Sequence, residues 1–160
     1  MGGRPRVITQ IAQKAQAVIF GFLPGNRGGE AIADIIFGDY NPDGRLPITY
    51  PLSPNGFITY DRKPLEVYVD TSDPLALSKG GYENLYPYAH GLSYTNFSYS
   101  NLKLSTSSVQ SPQGQVIVSI GVTNVGNMNG KEAVILYLND EFGSVSRPVR
   151  EVKGFQKIFL

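Results

Sequence analysis

The 160-residue sequence contains no cysteine and no tryptophan, and it has a single histidine, His90. Without cysteine there can be no disulfide framework, thiolate nucleophile or Cys-ligated zinc, although this does not fix the compartment. One imidazole excludes any site built on two. Charge is sparse as well: charged residues make up 17% of the chain and the formal net charge is +1. No broad basic field exists to hold a polyanion, so nucleic acid is not an expected partner, and no acidic block marks a tail. Long hydrophobic runs are missing too. The longest near the start, AVIFGFLPG, is too short to cross a bilayer, so no membrane span is expected. MGGRPRVITQ does not lead into a signal-peptide core with a small-residue cleavage site, so no export signal is expected in the chain as written.

What is present, 41% hydrophobic residues with 18 Gly, 11 Pro and 10 Tyr, describes a loop-rich, strand-leaning globular chain with a packed core. The length suffices for one ordinary domain or for parts of two. Over residues 6–16 the apolar positions Val7, Ile8, Ile11, Ala12 and Ala15 fit a short helix with one apolar face. AVIFGF, residues 17–22, predicts a strand buried on both faces in a parallel sheet, ended by Pro24-Gly25. Glycines 25, 28 and 29 then precede Ala31, Ile32, Ile35 and Ile36 at helical spacing. Glu30 lies near the expected helix start, where its charge suits the dipole, and Gly38 is placed to end the helix. A turn is expected on Asn41-Pro42-Asp43-Gly44, followed by an extended piece that Pro47 and Pro51 confine to an edge or a surface crossing.

From about residue 52 to 94, scattered proline, glycine and tyrosine predict a long irregular connector ordered by aromatic packing. After Thr95 the period changes to two. FSYSNLKLSTSS, GQVIVSIGVTNVG, KEAVILYLND and REVKGFQKIFL read as successive strands of an antiparallel sandwich. Val116, Val118, Ile120 and Val122 would share one face.

The ordered series GRPRVI, AVIFGFLPGNRGGEAIADIIFGDYNPDGRLPITYP, YPYAHGLSYTNFSYSNL, VTNVGNMNGKEAVILYLND and SRPVREVKGFQKIFL resembles the C-terminal part of glycoside hydrolase family 3 β-glucosidases. The resemblance implies retaining hydrolysis of terminal sugars by a protein with a barrel, a middle α/β sandwich domain and, in many members, a fibronectin type III-like domain. By that likeness, residues 1–51 are a C-terminal piece of the α/β sandwich, 52–94 a connector, and 95–160 an incomplete fibronectin type III-like (immunoglobulin-like) sandwich. The nucleophilic aspartate and the acid/base glutamate are implied to lie upstream, so no catalytic residue and no cofactor are expected here. The expected partner is the remainder of the parent hydrolase, with carbohydrate as substrate only in that context. Such parents are often secreted, periplasmic or lysosomal. The likeness also implies further strands after Leu160, which would leave FQKIFL with an unpaired edge.

Retaining glycosidases need two carboxyl groups about 5–5.5 Å apart, one of them an acid with a raised pKa. Asp34, Asp39, Asp43, Asp61, Glu66, Asp70, Asp73 and Glu83 are the candidates, and the simpler reading for them is solvated turn and cap carboxylates. Glycines 25, 28 and 29 match neither phosphate-loop spacing, which favours tight packing before a helix. His90 with Ser93 lacks the strand-nucleophile-helix context of a triad, and a buried, hydrogen-bonded histidine is expected instead. Tyr86, Tyr88 and Tyr94 suit either a sugar-stacking rim or interdomain packing, with packing favoured. Asn96-Phe97-Ser98 is a glycosylation sequon, which matters only on a eukaryotic secretory route. Arg147, Arg150 and Lys153 around Glu151 predict a salt-laced exposed strand. A stand-alone carbohydrate- or protein-binding module is the competing expectation. Residues 25–51 are read as joinery that turns the chain and passes it to the next domain.

Overall fold

The computed structural model describes residues 3–54, 56, 58–63, 84–111 and 113–160. Two helices, α1 (Thr9–Lys14) and α2 (Gly28–Phe37), are followed by short strands β1 (Tyr50–Pro51) and β2 (Asn84–Tyr86). Four longer strands come next: β3 (Phe97–Leu104), β4 (Val118–Asn124), β5 (Lys131–Leu138) and β6 (Glu151–Phe159). The architecture is mostly β with few helices, and the four strands read from the period-two runs are all present.

The strands pair as three antiparallel two-stranded sheets, β1–β2, β3–β4 and β5–β6. Each long pair carries a one-residue irregularity. In β3 the register slips between Ser100 and Lys103, and Asn101 takes the left-handed φ of 54° that such a bulge demands and asparagine tolerates. β6 pairs with β5 along its length, from Leu138↔Glu151 to Lys131↔Phe159, and Gly130 and Leu160 exchange two further bonds of 2.9 Å. FQKIFL is therefore paired with β5 along one edge, and its other edge has no strand beside it among the described residues.

Residues 17–21 form no strand, which corrects the parallel strand read over 17–22. Phe22 makes a single bridge and adopts φ 48°. An apolar run becomes a strand only where a neighbour takes its backbone hydrogen bonds, and no parallel neighbour stands beside it among the described residues. Its aromatic side chains pack instead into a cluster. Phe20 meets Phe22 edge-on at 4.3 Å and Tyr50 at 5.6 Å, and Tyr50 meets Tyr86 at 6.1 Å. Tyr50 is 1% exposed, and its hydroxyl donates to the Arg6 carbonyl at 2.7 Å. This ties β1 to the segment before α1.

α2 forms as its apolar spacing predicts. Gly28 opens it because a side chain there would stand 2.4 Å from the Pro24 ring, and Gly38 closes it with φ 86°. The turn expected at 41–44 does not form. The chain runs extended instead, and the Leu46 N–H bonds the His90 carbonyl at 2.9 Å. Within the described part of the connector, Tyr60, Tyr86, Tyr88 and His90 make ring contacts. Pro64, Pro74, Gly80 and Gly81, like the rest of 64–83, lie outside the described residues.

Candidate functional site

Asn41, Asp43 and Arg45 alternate along an extended strap between α2 and β1, so all three project to one side. That side meets the C-terminal strands. The Asn41 amide donates to the Asn129 carbonyl at 3.0 Å, while its oxygen accepts the Ser93 hydroxyl and the Tyr94 N–H, each at 2.8 Å. Asp43 accepts from Lys157 on β6 at 3.0 Å and from the Tyr40 hydroxyl at 2.7 Å, and it lies 3.6 Å from Lys131 on β5. Arg45 pairs with Glu132 of β5 at 2.5 Å, their side chains only 15% and 12% exposed. The other Glu132 oxygen accepts the Tyr99 hydroxyl of β3 at 2.6 Å. Glu132 thus holds the strap and both long strand pairs together.

The electrostatics follow from this docking. Partial burial would raise the Asp43 carboxyl, but the Tyr40 hydrogen bond and the Lys157 and Lys131 charges outweigh it and hold the group below its ordinary range. Burial and the adjacent Glu132 carboxylate push the Tyr99 phenol up to about 12. Lys131 is raised, first by its hydrogen bond to Tyr40 and then by the Asp43 charge.

A second seam joins the connector to the far end of the β5–β6 hairpin. Tyr60 stacks on Tyr88 at 4.4 Å and meets Tyr137 edge-on at 6.3 Å. The Asp61 carbonyl accepts from Val149 N–H at 3.1 Å, and Arg150 lies over the Tyr137 ring at 5.1 Å. Asn124 closes a third seam: its oxygen accepts the Thr95 hydroxyl at 2.6 Å, and its amide donates to the Met128 carbonyl at 2.9 Å.

Among the described residues, no two of the sequence candidates assemble into a hydrolytic pair. Asp34 is exposed on α2, and Asp61 makes its contact through the backbone. Glu66, Asp70, Asp73 and Glu83 lie outside the described residues. Asp39 and Asp43 do line one cleft of about 470 Å³. A general acid must stay protonated, however, and the lysines drive Asp43 the opposite way. Ser93 is engaged with Asn41. His90 is half-buried rather than buried as expected, and its ring stacks on Tyr86 at 4.8 Å. Tyr86 and Tyr88 are committed to packing, and the Tyr94 hydroxyl donates to the Ile35 carbonyl of α2 at 2.6 Å. Asn96 is exposed immediately before β3. Glu151 bonds Lys153 at 2.5 Å and Arg147 at 3.1 Å, the salt-laced strand expected. Among the described residues no cluster of three His, Asp or Glu could hold a metal ion, and no helix is long and apolar enough to cross a membrane. Arg45, Tyr99 and Glu132 escaped the sequence reading. The signal for Arg45 was the alternation of polar residues in NPDGR, which was read as a turn rather than as one face of an extended segment.

The fold and its seams define a joining element in which polar side chains lock one segment of a protein to another. The chain belongs to the glycosyl hydrolase family 3 C-terminal domain family, whose pattern matches residues 1–94. It is 39% identical to a periplasmic beta-glucosidase of Salmonella typhimurium, an alignment covering all of this chain and 21% of that protein. A beta-xylosidase of Formosa agariphila is 36% identical over 100% of this chain and 22% of its own length. A solved beta-glucosidase of Erythrobacter marinus superposes with a TM-score of 0.86 at 36% identity, over 99% of this chain and 20% of that one. The chain spans about a fifth of the length of these relatives.

Proposed function

We propose that this chain is the framework segment of a retaining, β-glucosidase-like hydrolase. In this reading, residues 1–51 complete an α/β sandwich domain, 52–94 connect, and 95–160 belong to a fibronectin type III-like sandwich. The single observation that carries it is the alternating strap: Asn41, Asp43 and Arg45 each bind the C-terminal strands. Their polar groups are occupied in fixing one segment against another, so they are not free for a substrate. Catalytic carboxylates belong to polypeptide outside these residues, and the chain alone is catalytically silent. The remainder of the parent hydrolase is the partner.

Exposed apolar groups support that partner. Leu23, Ile36 and Phe37 around α2 are 86%, 60% and 81% exposed, and Phe155 on β6 is 80% exposed. Large apolar side chains left this exposed fit contacts with further protein. Exposed Asn96 would accept an N-glycan if the protein follows a eukaryotic secretory route.

An aryl β-glucoside assay of the purified chain tests this reading. Release at the rate of a matched blank is the expected result. Turnover abolished by substituting one carboxylate of this sequence would overturn it.

A further inference from the structure

The cleft between the exit of α2 and the end of β6 combines groups that the Asp43 seam engages, the Tyr40 hydroxyl and Lys131, with groups that it does not. Tyr40 and Phe159 form parts of its wall, with 42% and 67% of their surfaces exposed. Asp39, Asn127 and Asn129 line it as well, and their side chains find no hydrogen-bond partner among the described residues. Lys131 completes the lining beside Asp43.

We propose that this cleft binds a neutral sugar ring. A pyranose presents two kinds of surface, an apolar C–H face and a rim of hydroxyls that each donate and accept. Open aromatic rings suit the first, and planar carboxylate and amide groups, which offer adjacent acceptors and donors, suit the second. The volume of about 470 Å³ falls within the range of small-ligand sites, roughly 300–1,000 Å³. Charge selects the ligand further. Lys131 and Lys157 balance Asp43 and Asp39, so no net charge recruits a phosphorylated or acidic sugar. The floor is held still, because the Asn41 amide bonds the Asn129 carbonyl and both of its side-chain polar atoms are engaged. This site is separate from Tyr86, Tyr88 and Tyr94, and it does not depend on the framework role.

Isothermal titration of the 160-residue chain with cellobiose and with laminaribiose, with glucose 6-phosphate as the anionic control, tests the proposal. Saturable binding of a neutral disaccharide with a millimolar Kd is expected, weakened about tenfold by Phe159→Ala and about fivefold by Asp39→Ala. Both side chains are exposed, so neither substitution should disturb folding. Phe142→Ala, at a loop position 93% exposed and outside the cleft, should leave binding unchanged. No saturation into the tens of millimolar would overturn the proposal, as would binding that survives both cleft substitutions or tighter binding of glucose 6-phosphate. A chain that fails to melt cooperatively would overturn it as a property of these residues.

Discussion

Arg45 and Glu132 stand 87 positions apart in the chain, and their side chains meet at 2.5 Å in a nearly enclosed pair that also receives the Tyr99 hydroxyl. Removing one partner leaves the other charge half-desolvated and unpaired. Glu132→Ala should therefore lower unfolding stability by about 3 kcal/mol. Joint replacement by Arg45→Met and Glu132→Leu should cost much less than the sum of the single changes. A denaturant titration of each variant measures this, and additive losses would show that the pair is not coupled.

Asn41 is 8% exposed and makes three hydrogen bonds to residues distant in sequence. Asn41→Ala should cost about 2 kcal/mol by leaving those partners dry and unpaired. Hydrogen exchange should show the Tyr94 amide losing protection. Unchanged exchange there would mean that the strap is held by its charges alone.

The Asp43 carboxyl titrates below its ordinary value near 3.8, so the folded state binds its proton less readily than the unfolded chain. Its contribution is present above about pH 4 and is lost as the pH falls through the lowered folded value. Asp43→Asn should flatten that acid limb in thermal melts at successive pH values. At the alkaline end the sign reverses. With its folded value near 12 against an ordinary 10, Tyr99 contributes stability that is complete below pH 10 and lost as the pH rises toward 12, a slope that Tyr99→Phe should remove.

Gly91 lies against the strap so closely that a side chain on it would come within 2.3 Å of the Gly44 carbonyl. Backbone must move to admit even a methyl group, and Gly91→Ala should destabilise by about 2 kcal/mol. Thr49 carries the opposite prediction. Its hydroxyl is buried without a hydrogen-bond partner among the described residues, so Thr49→Val should raise the melting midpoint, equivalent to about 1 kcal/mol. A fall on Thr49→Val would reveal a hidden partner for that hydroxyl.

By itself, the sequence determined the local elements. The apolar spacing of Ala31, Ile32, Ile35 and Ile36 specified α2, Gly38 specified its end, and the period-two runs after Thr95 specified four strands. These signals are readable because helix and strand periodicity are properties of consecutive residues. Quoted motifs spread along the chain were enough to identify the family, for the same reason. Tertiary structure alone decided that Phe20 and Phe22 pack into an aromatic cluster while residues 17–21 form no strand, and that NPDGR is a docked strap rather than a turn. It alone brought Arg45, Tyr99 and Glu132 together. Whether a carboxylate is a solvated cap or a buried anchor depends on which charges the fold carries to it from far along the chain, and no local pattern records that.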